Sequence, residues 1–263
     1  MLQQKLASTI LVLLCASSLA PAQVPVPEPF TGSTNASSES AVSAAPIRAV
    51  TPVALPERKF QWNSALRESG IFLGLQHAFR IATEPQTREN LSGPFLRDWF
   101  HSVGSIHGWK DGDPHFVNYL GHPIQGGVTG FISIQNDPRY RKAEFGLSRE
   151  YWIGRLRASA FTAIYSLQFE IGPLSEASLG NVQGAQGQNG IVDWVITPTL
   201  GTVWMITEDA LDKHVIGRIE GKVRNPVVRI LVRGWLNPTR SFSNMLRFEL
   251  PWHRDNRPGV TVD

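Results

Sequence analysis

The sequence predicts a mainly α protein, a compact multi-helix bundle placed after a signal peptide and a disordered linker. Three observations carry this. Residues 1–57 have the make-up of an export signal followed by a Pro/Ser/Ala-rich tether. From Phe60 onward, apolar and small residues recur at helical spacings and not in strict alternation. Three runs carry no Lys, Arg, Asp or Glu: Pro114 to Asn136, Ala158 to Phe169 and Trp194 to Thr207. Such runs suit helices that bury one another. A transmembrane β-barrel would need many alternating segments of even rhythm, and that alternation is missing.

In order along the chain, Lys5 supplies a weak positive start, Ile10 to Leu14 opens a short apolar region, and Ala20-Pro21-Ala22 offers a small-x-small cleavage site. Residues 1–22 therefore read as a signal peptide and 23–57 as a linker; 58–263 read as a single helical domain with a basic, aromatic C-terminal part. Cys15, the only cysteine, falls inside the signal, so the mature chain has neither disulfide nor thiolate metal site. A first helix is predicted from about Asn63 to Thr83, with Leu66, Leu73, His77 and Ile81 on its inner side and a stop near Pro85. Pro94 to Ser105 is short, amphipathic and aromatic, and Lys110 to Pro114 is a turn. The charge-free stretch that follows forms a helix which Pro123 bends or breaks, and which Asp137-Pro138 ends. Ser148 caps a long helix running to about Ile171, before Gly172-Pro173. Gly180 to Gly190 is a Gly/Gln-rich loop. Ile191 to Thr207 is a third apolar segment broken by Pro198, Glu208 to Gly221 a polar helix, and Pro226 to Trp235 a last helix or strand.

The composition narrows the function. Hydrophobic residues make up 42% of the chain, ample for a core, while the 18% that are charged fall below the quarter usual in soluble domains. Eight Trp fit a membrane interface or an aromatic-rich core. Between Lys213 and Arg257, ten Lys/Arg face three acids and are interleaved with Trp235, Phe242, Phe248 and Trp252. That mixture suggests an anionic lipid surface or a solvated helix face.

Chemistry gathers around VNYLGHPIQGG. On a regular helix His115, Asn118 and His122 share one arc, with Phe116, Leu120 and Ile124 opposite, and Gly126, Gly127 and Gly130 permit close approach of another helix. A carboxylate at the end of an apolar helix is costly to bury unless paired, and a His is the cheapest partner. The expected cluster is His122 with Glu170 and Asp193 as candidate catalytic residues, and Asn118, Ser166, Glu176 and Thr197 in support. Each has a plainer reading: His122 as a packing His held by a carboxylate, Glu170 as an ion-pair partner, Asp193 as a helix cap. His115 is expected near the surface and His77 in the core. Zinc on His122, Glu170 and Asp193 is chemically possible, but the chain offers no HExxH, and no metal or cofactor is expected. The absence of G-x-S-x-G, P-loop and dinucleotide fingerprints excludes serine-hydrolase and nucleotide readings.

The order Asn118, His122, Pro123, Gly126, then Ser166 and Glu170, then Asp193, Thr197, Pro198 and Gly201 resembles an uncharacterised family of bacterial cell-envelope proteins, and more distantly the VanZ-like helical proteins. The likeness runs from about Asp113 to Arg247 and includes Asn237-Pro238-x-Arg240-Ser241. Phe169 stands where the family places an aromatic. The Gly/Gln loop replaces a Pro-Ser pair, and a VanZ-type Asp-Lys before the His is missing. The resemblance implies a helical fold and an envelope location, in the periplasm or outer membrane of a Gram-negative-type bacterium, but no reaction.

Three functions follow as expectations. The first is a non-enzymatic, exported envelope protein, membrane-associated, whose partner is a membrane lipid surface or an envelope protein, without nucleic acid or nucleotide. The second is an envelope enzyme acting on a lipid or glycan intermediate, with His122 as base and Glu170 and Asp193 orienting it. The third is a binding module for an apolar ligand.

Overall fold

The computed structural model describes residues 59–179 and 190–260. The predicted signal, the linker and all but the last residue of the Gly/Gln loop lie outside the described residues. Among these, every regular element is helical. They are α1 (Trp62–Thr83), α2 (Pro85–Asn90), α3 (Phe95–Gly104), α4 (His122–Gln135), α5 (Arg149–Ile171), α6 (Val192–Leu211), α7 (Gly217–Lys222), α8 (Pro226–Leu236) and α9 (Pro238–Leu246). π-helical turns, Val117–Gly121 and Asp212–Ile216, lead directly into α4 and α7. Val227 to Val232, ambiguous by propensity, is helix; Asn225 caps it by accepting from the amides of Val227 and Val228. Ser148 caps α5 as expected, accepting from Tyr151 N at 3.2 Å.

The centre of the fold is α4, α5 and α6, the helices of the three charge-free runs. α4 and α6 run parallel and touch backbone to backbone. A Cβ on Gly126 would lie 2.1 Å from the Thr197 carbonyl oxygen, and one on Gly201 would lie 2.5 Å from Gly126 Cα. Only glycine permits that crossing. α5 runs antiparallel to α6: Ser166 near its end bonds the Asp193 carbonyl at 3.1 Å, and Arg155 near its start meets Asp209. Between these ends the contacts are uncharged, apolar as in the cluster of Phe131, Ile134, Ala158 and Met205, and polar where Thr129 donates to Thr162 Oγ1 at 3.1 Å.

Neither internal proline breaks its helix, contrary to the sequence expectation. α4 absorbs Pro123 because the preceding π turn closes with His122 N–H on the Val117 carbonyl, one residue wider than an α turn. Within α6, Pro198 lacks an amide, yet the helix continues through it. The Gly126–Gly201 crossing clamps it from α4, and Thr202 Oγ1 donates to the Pro198 carbonyl at 2.6 Å. The predicted break before the polar helix from Glu208 is likewise missing: α6 carries on to Leu211.

The inner face of α1 also differs from the apolar stripe. Leu66 is exposed, and the buried residues are Ala65, Glu68, Ser69, Phe72, His77 and Arg80. The rotation is set by polar bonds, with Asn136 Nδ2 donating to Glu68 Oε2 at 2.7 Å and His77 Nε2 against the Leu174 carbonyl at 3.1 Å. α9 was not expected. Its cap comes from far away: Glu208 accepts from the amides of Thr239 (2.9 Å) and Arg240 (3.1 Å), while Asn237 turns to Asp212.

Charge is confined to the two ends of the central helices. From Asp193 to Asp209, α6 rises about 24 Å. One end gathers acids around His122. The other gathers arginines: Arg155 and Arg240 on Asp209, Arg254 and Arg257 on Asp212, and Arg233 and Arg257 on Glu220. Arg233 and Arg254 are fully buried. Of the ten cations in the basic C-terminal part, Lys213, Arg218, Lys222 and Arg224 are the exposed ones.

Candidate functional site

The acidic end is built where the chain before α4 meets the start of α6. The amides of Ile191 and Val192, which open α6 and have no intrahelical partner, donate to the carbonyls of Gly108 (3.3 Å) and Trp109 (3.1 Å). Gly190 lies so close to this strand of backbone that a Cβ would be 2.3 Å from the Lys110 carbonyl. Gly112, at φ +95°, then turns the chain back. The turn that results sets Asp111 and Asp113 beside Asp193.

His122, Glu170 and Asp193 converge as expected. His122 Nε2 is 3.4 Å from Asp193 Oδ2, and Nδ1 is 4.0 Å from Glu170 Oε1 and 3.2 Å from Thr197 Oγ1. All are buried. Thr197 is thus a direct partner of His122, and Ser166 steadies the first turn of α6 through the Asp193 carbonyl. Asn118 is buried beside them, but its amide goes to Asp111 Oδ1 at 2.9 Å, not to His122. Glu176 stands further out, paired with Arg80 at 2.9 Å, and acts on the cluster through its charge. His115 is exposed and stacks on Tyr119, with ring centres 4.2 Å apart. Asp193 is not a cap: Ile191 holds the N-cap position, and Asp193 lies within the first turn.

Asp111 and Asp113, which the sequence reading left as a turn, are the missing members. The carboxyls of Asp111 and Asp193 are hydrogen-bonded to each other, which requires one proton between them. Asp111 Oδ1 is taken by Asn118 and by the Asp113 amide at 3.0 Å. That leaves Asp111 Oδ2 and Asp193 Oδ1 as the buried oxygens with no other partner among the described residues, and the shared proton belongs there. Burial, the Asp111 hydrogen bond and the Glu170 charge push Asp193 far above the carboxylate range, so Asp193 keeps the proton. Asp111 is held below its ordinary value: burial opposes this, but the bonds from Asp193, Asn118 and the backbone outweigh it.

Burial pulls His122 down to about 4, against the Asp111 charge and a bond with Gln125, so the imidazole is neutral at pH 7. Nδ1 shares a hydrogen bond with the Thr197 hydroxyl, and Nε2 faces Asp193 Oδ2 across 3.4 Å. A neutral imidazole with so low a pKa is a poor base near neutrality. Asp113 is better matched. It stands exposed at the mouth of the cluster, and desolvation of its carboxyl plus the charges of Glu176, Asp111 and Glu84 bring it up to about 7. Among the described residues, those able to hold a metal ion are Asp113, His122 and Asp193, whose donor atoms lie within 4.8 Å of one another. Glu170, named with His122 and Asp193 as a chemically possible zinc set, is not in that group.

This protonation pattern has a direct test. An amide at position 193 reproduces a neutral carboxyl and can donate to Asp111. Asp193→Asn is therefore expected to stabilise the protein at pH 7, because the wild type takes up a proton on folding that the amide does not need, whereas breaking a buried ion pair would cost about 3–5 kcal/mol. The raised pKa also fixes a sign. Its stabilising share is complete below the ordinary value of 3.8 and is lost as pH rises. Urea unfolding from pH 4 to 9 should show a smaller alkaline loss in the variant than in the wild type. A large loss at pH 7 would mean an ionised His122–Asp193 pair.

No family model, curated protein or solved structure matches this chain.

Proposed function

We propose that the chain is an exported, membrane-associated envelope protein that lies on an anionic lipid surface, with the His122 cluster as a buried polar site at one end of its bundle. The observation that carries this reading is the outer face of α8. Val227, Val228, Leu231 and Trp235 are all exposed and fall within an arc of about 100°. Lys222 and Arg224 stand exposed just ahead of that face, and Arg229 is half-buried on the same helix. An exposed apolar face with cations at its edge suits the boundary between headgroups and acyl chains.

The central helices support the same reading. Leu156 and Ile164 on α5 and Val203 on α6 are 68%, 67% and 57% exposed, while Thr129, Thr162, Ser166 and Thr197 are fully buried. Large aliphatics thus stand outside on the same helices that bury these hydroxyls beside the apolar core. No helix among the described residues is long and apolar enough to cross a membrane, so the contact proposed is at the surface. The resemblance to cell-envelope proteins and the export-type N-terminus point the same way.

The test is sedimentation with vesicles. The purified chain is expected to pellet with phosphatidylglycerol vesicles, less with phosphatidylcholine, and less again at high salt. Leu231→Glu with Trp235→Glu, both on exposed positions, should abolish pelleting while the far-UV circular dichroism stays unchanged. Equal partition of wild type and variant would overturn the reading. Catalysis with His122 as base draws no support from its depressed pKa.

A further inference from the structure

At the opposite end of the bundle lies a pocket of about 310 Å³ between the end of α4, the loop after it, the start of α5, the π turn 212–216, α9 and the C-terminal segment. Its walls carry Arg141, Arg155, Lys213, Arg240, Arg254 and Arg257 against Glu144, Asp209, Asp212 and Asp255, an excess of two positive charges. The acids are already engaged. Asp209 takes Arg155 Nη2 at 2.7 Å and also Arg240; Asp212 takes Arg254 Nε at 2.9 Å and also Arg257. Asp255 is paired with Arg247 at 3.1 Å, and Glu144 accepts from Asn256 at 3.1 Å. Four guanidiniums thus share these two aspartates, and Arg257 also reaches Glu220 at 3.1 Å.

Donors remain without acceptors. Arg155 Nη1, Arg240 Nε and Arg257 Nε are buried and have no hydrogen-bond partner among the described residues. Arg155 is 2% exposed, so its unpaired donor is deep in the wall. A buried, charged donor without an acceptor costs several kcal/mol unless something outside the chain fills the role. Burial, and after it the Arg240 charge, draw Arg254 down to about 10.

We propose that this pocket binds a phosphate group, as the free anion or as the monoester of a small molecule or lipid headgroup. Forked guanidinium donors match tetrahedral oxyanions, and a dianion would neutralise the excess of two. The volume admits a phosphate with a small substituent, and Phe131 and Ile134 give that substituent an apolar wall. The site is separate from the His122 cluster, and free-phosphate binding does not depend on the membrane reading.

The experiment is thermal unfolding of the full chain with inorganic phosphate, at ionic strength held constant with chloride. The melting temperature is expected to rise and saturate with phosphate and not with chloride. Arg141→Ala and Lys213→Ala are suited as probes because Arg141 is half-buried and Lys213 exposed, so both should fold. Each should weaken phosphate binding about tenfold. Vesicles then separate the sources: preference for phosphatidic acid over phosphatidylcholine, competed away by free phosphate, assigns a lipid headgroup, and phosphate binding without it assigns a soluble anion. A flat response to phosphate, a shift that chloride reproduces, or binding unchanged in both variants would overturn the proposal.

Discussion

Gly201→Ala is expected to destabilise the protein by about 3 kcal/mol or more, the upper end of the cost of overpacking. The added methyl would sit 2.5 Å from Gly126 Cα, 2.7 Å from its carbonyl carbon and 3.1 Å from Gly127 N. All three are backbone atoms, so no rotamer change relieves the clash; α4 and α6 must separate. Separation would also pull Thr197 from His122 and open the crossing that holds Pro198 within its helix. The shift in urea midpoint, followed by far-UV circular dichroism, measures the loss. Gly70→Ala is the matched control, because a Cβ there meets nothing within 4 Å. Replacing a mid-helix glycine in open space should stabilise by about 0.5–1 kcal/mol. A loss below about 1 kcal/mol at Gly201 would mean that the helices do not cross where these glycines place them.

That crossing marks what the sequence could and could not reveal. Charge-free runs identified the central helices, and Gly126, Gly127 and Gly130 announced close approach, because both signals are local; that Gly201 is the partner glycine was not read. The polar cluster was legible because Glu170 and Asp193 each border such a run and His122 stands inside one as a fitting partner. Asp111 and Asp113 were not, since acids in a turn normally face water; only the backbone bonds of Ile191 and Val192 bring that turn against Asp193. The prolines misled for a related reason. Helix propensity treats Pro123 and Pro198 as breaks, whereas a π turn and a tight helix crossing absorb them. α9 begins at Asn237-Pro238, but its cap is Glu208 from α6, which no local pattern contains. On α1 the apolar stripe held in part: His77 is buried and Leu73 packs on the core, but Leu66 stays out, and Glu68 and Arg80 go in beside Ala65 and Phe72. Where a core is held by hydrogen bonds and ion pairs, hydrophobic periodicity finds the helix but not its orientation.

Asp209→Ala is expected to be the most damaging change at the other end of the bundle, costing about 3–5 kcal/mol. Asp209 is 3% exposed. It accepts from Arg155 Nε at 2.8 Å and Tyr151 OH at 2.9 Å, and pairs with Arg240. Arg155 lies over the Tyr151 ring at 4.2 Å and is 2% exposed, so losing its partner leaves its charge largely desolvated. The loss therefore measures a stranded charge more than a missing bond. A double variant, Arg155→Met with Asp209→Leu, removes both charges and keeps the volume. It should recover most of the loss, giving a coupling energy of at least about 2 kcal/mol in a double-mutant cycle. Arg240 keeps other acids within its field, as Asp212, Glu208 and Asp255 all favour its charged form. Arg155 is thus the residue that makes Asp209 indispensable. If Asp209→Ala lost less than about 1 kcal/mol, water would have to reach Arg155, and the desolvated arginine wall on which the phosphate pocket depends would not exist.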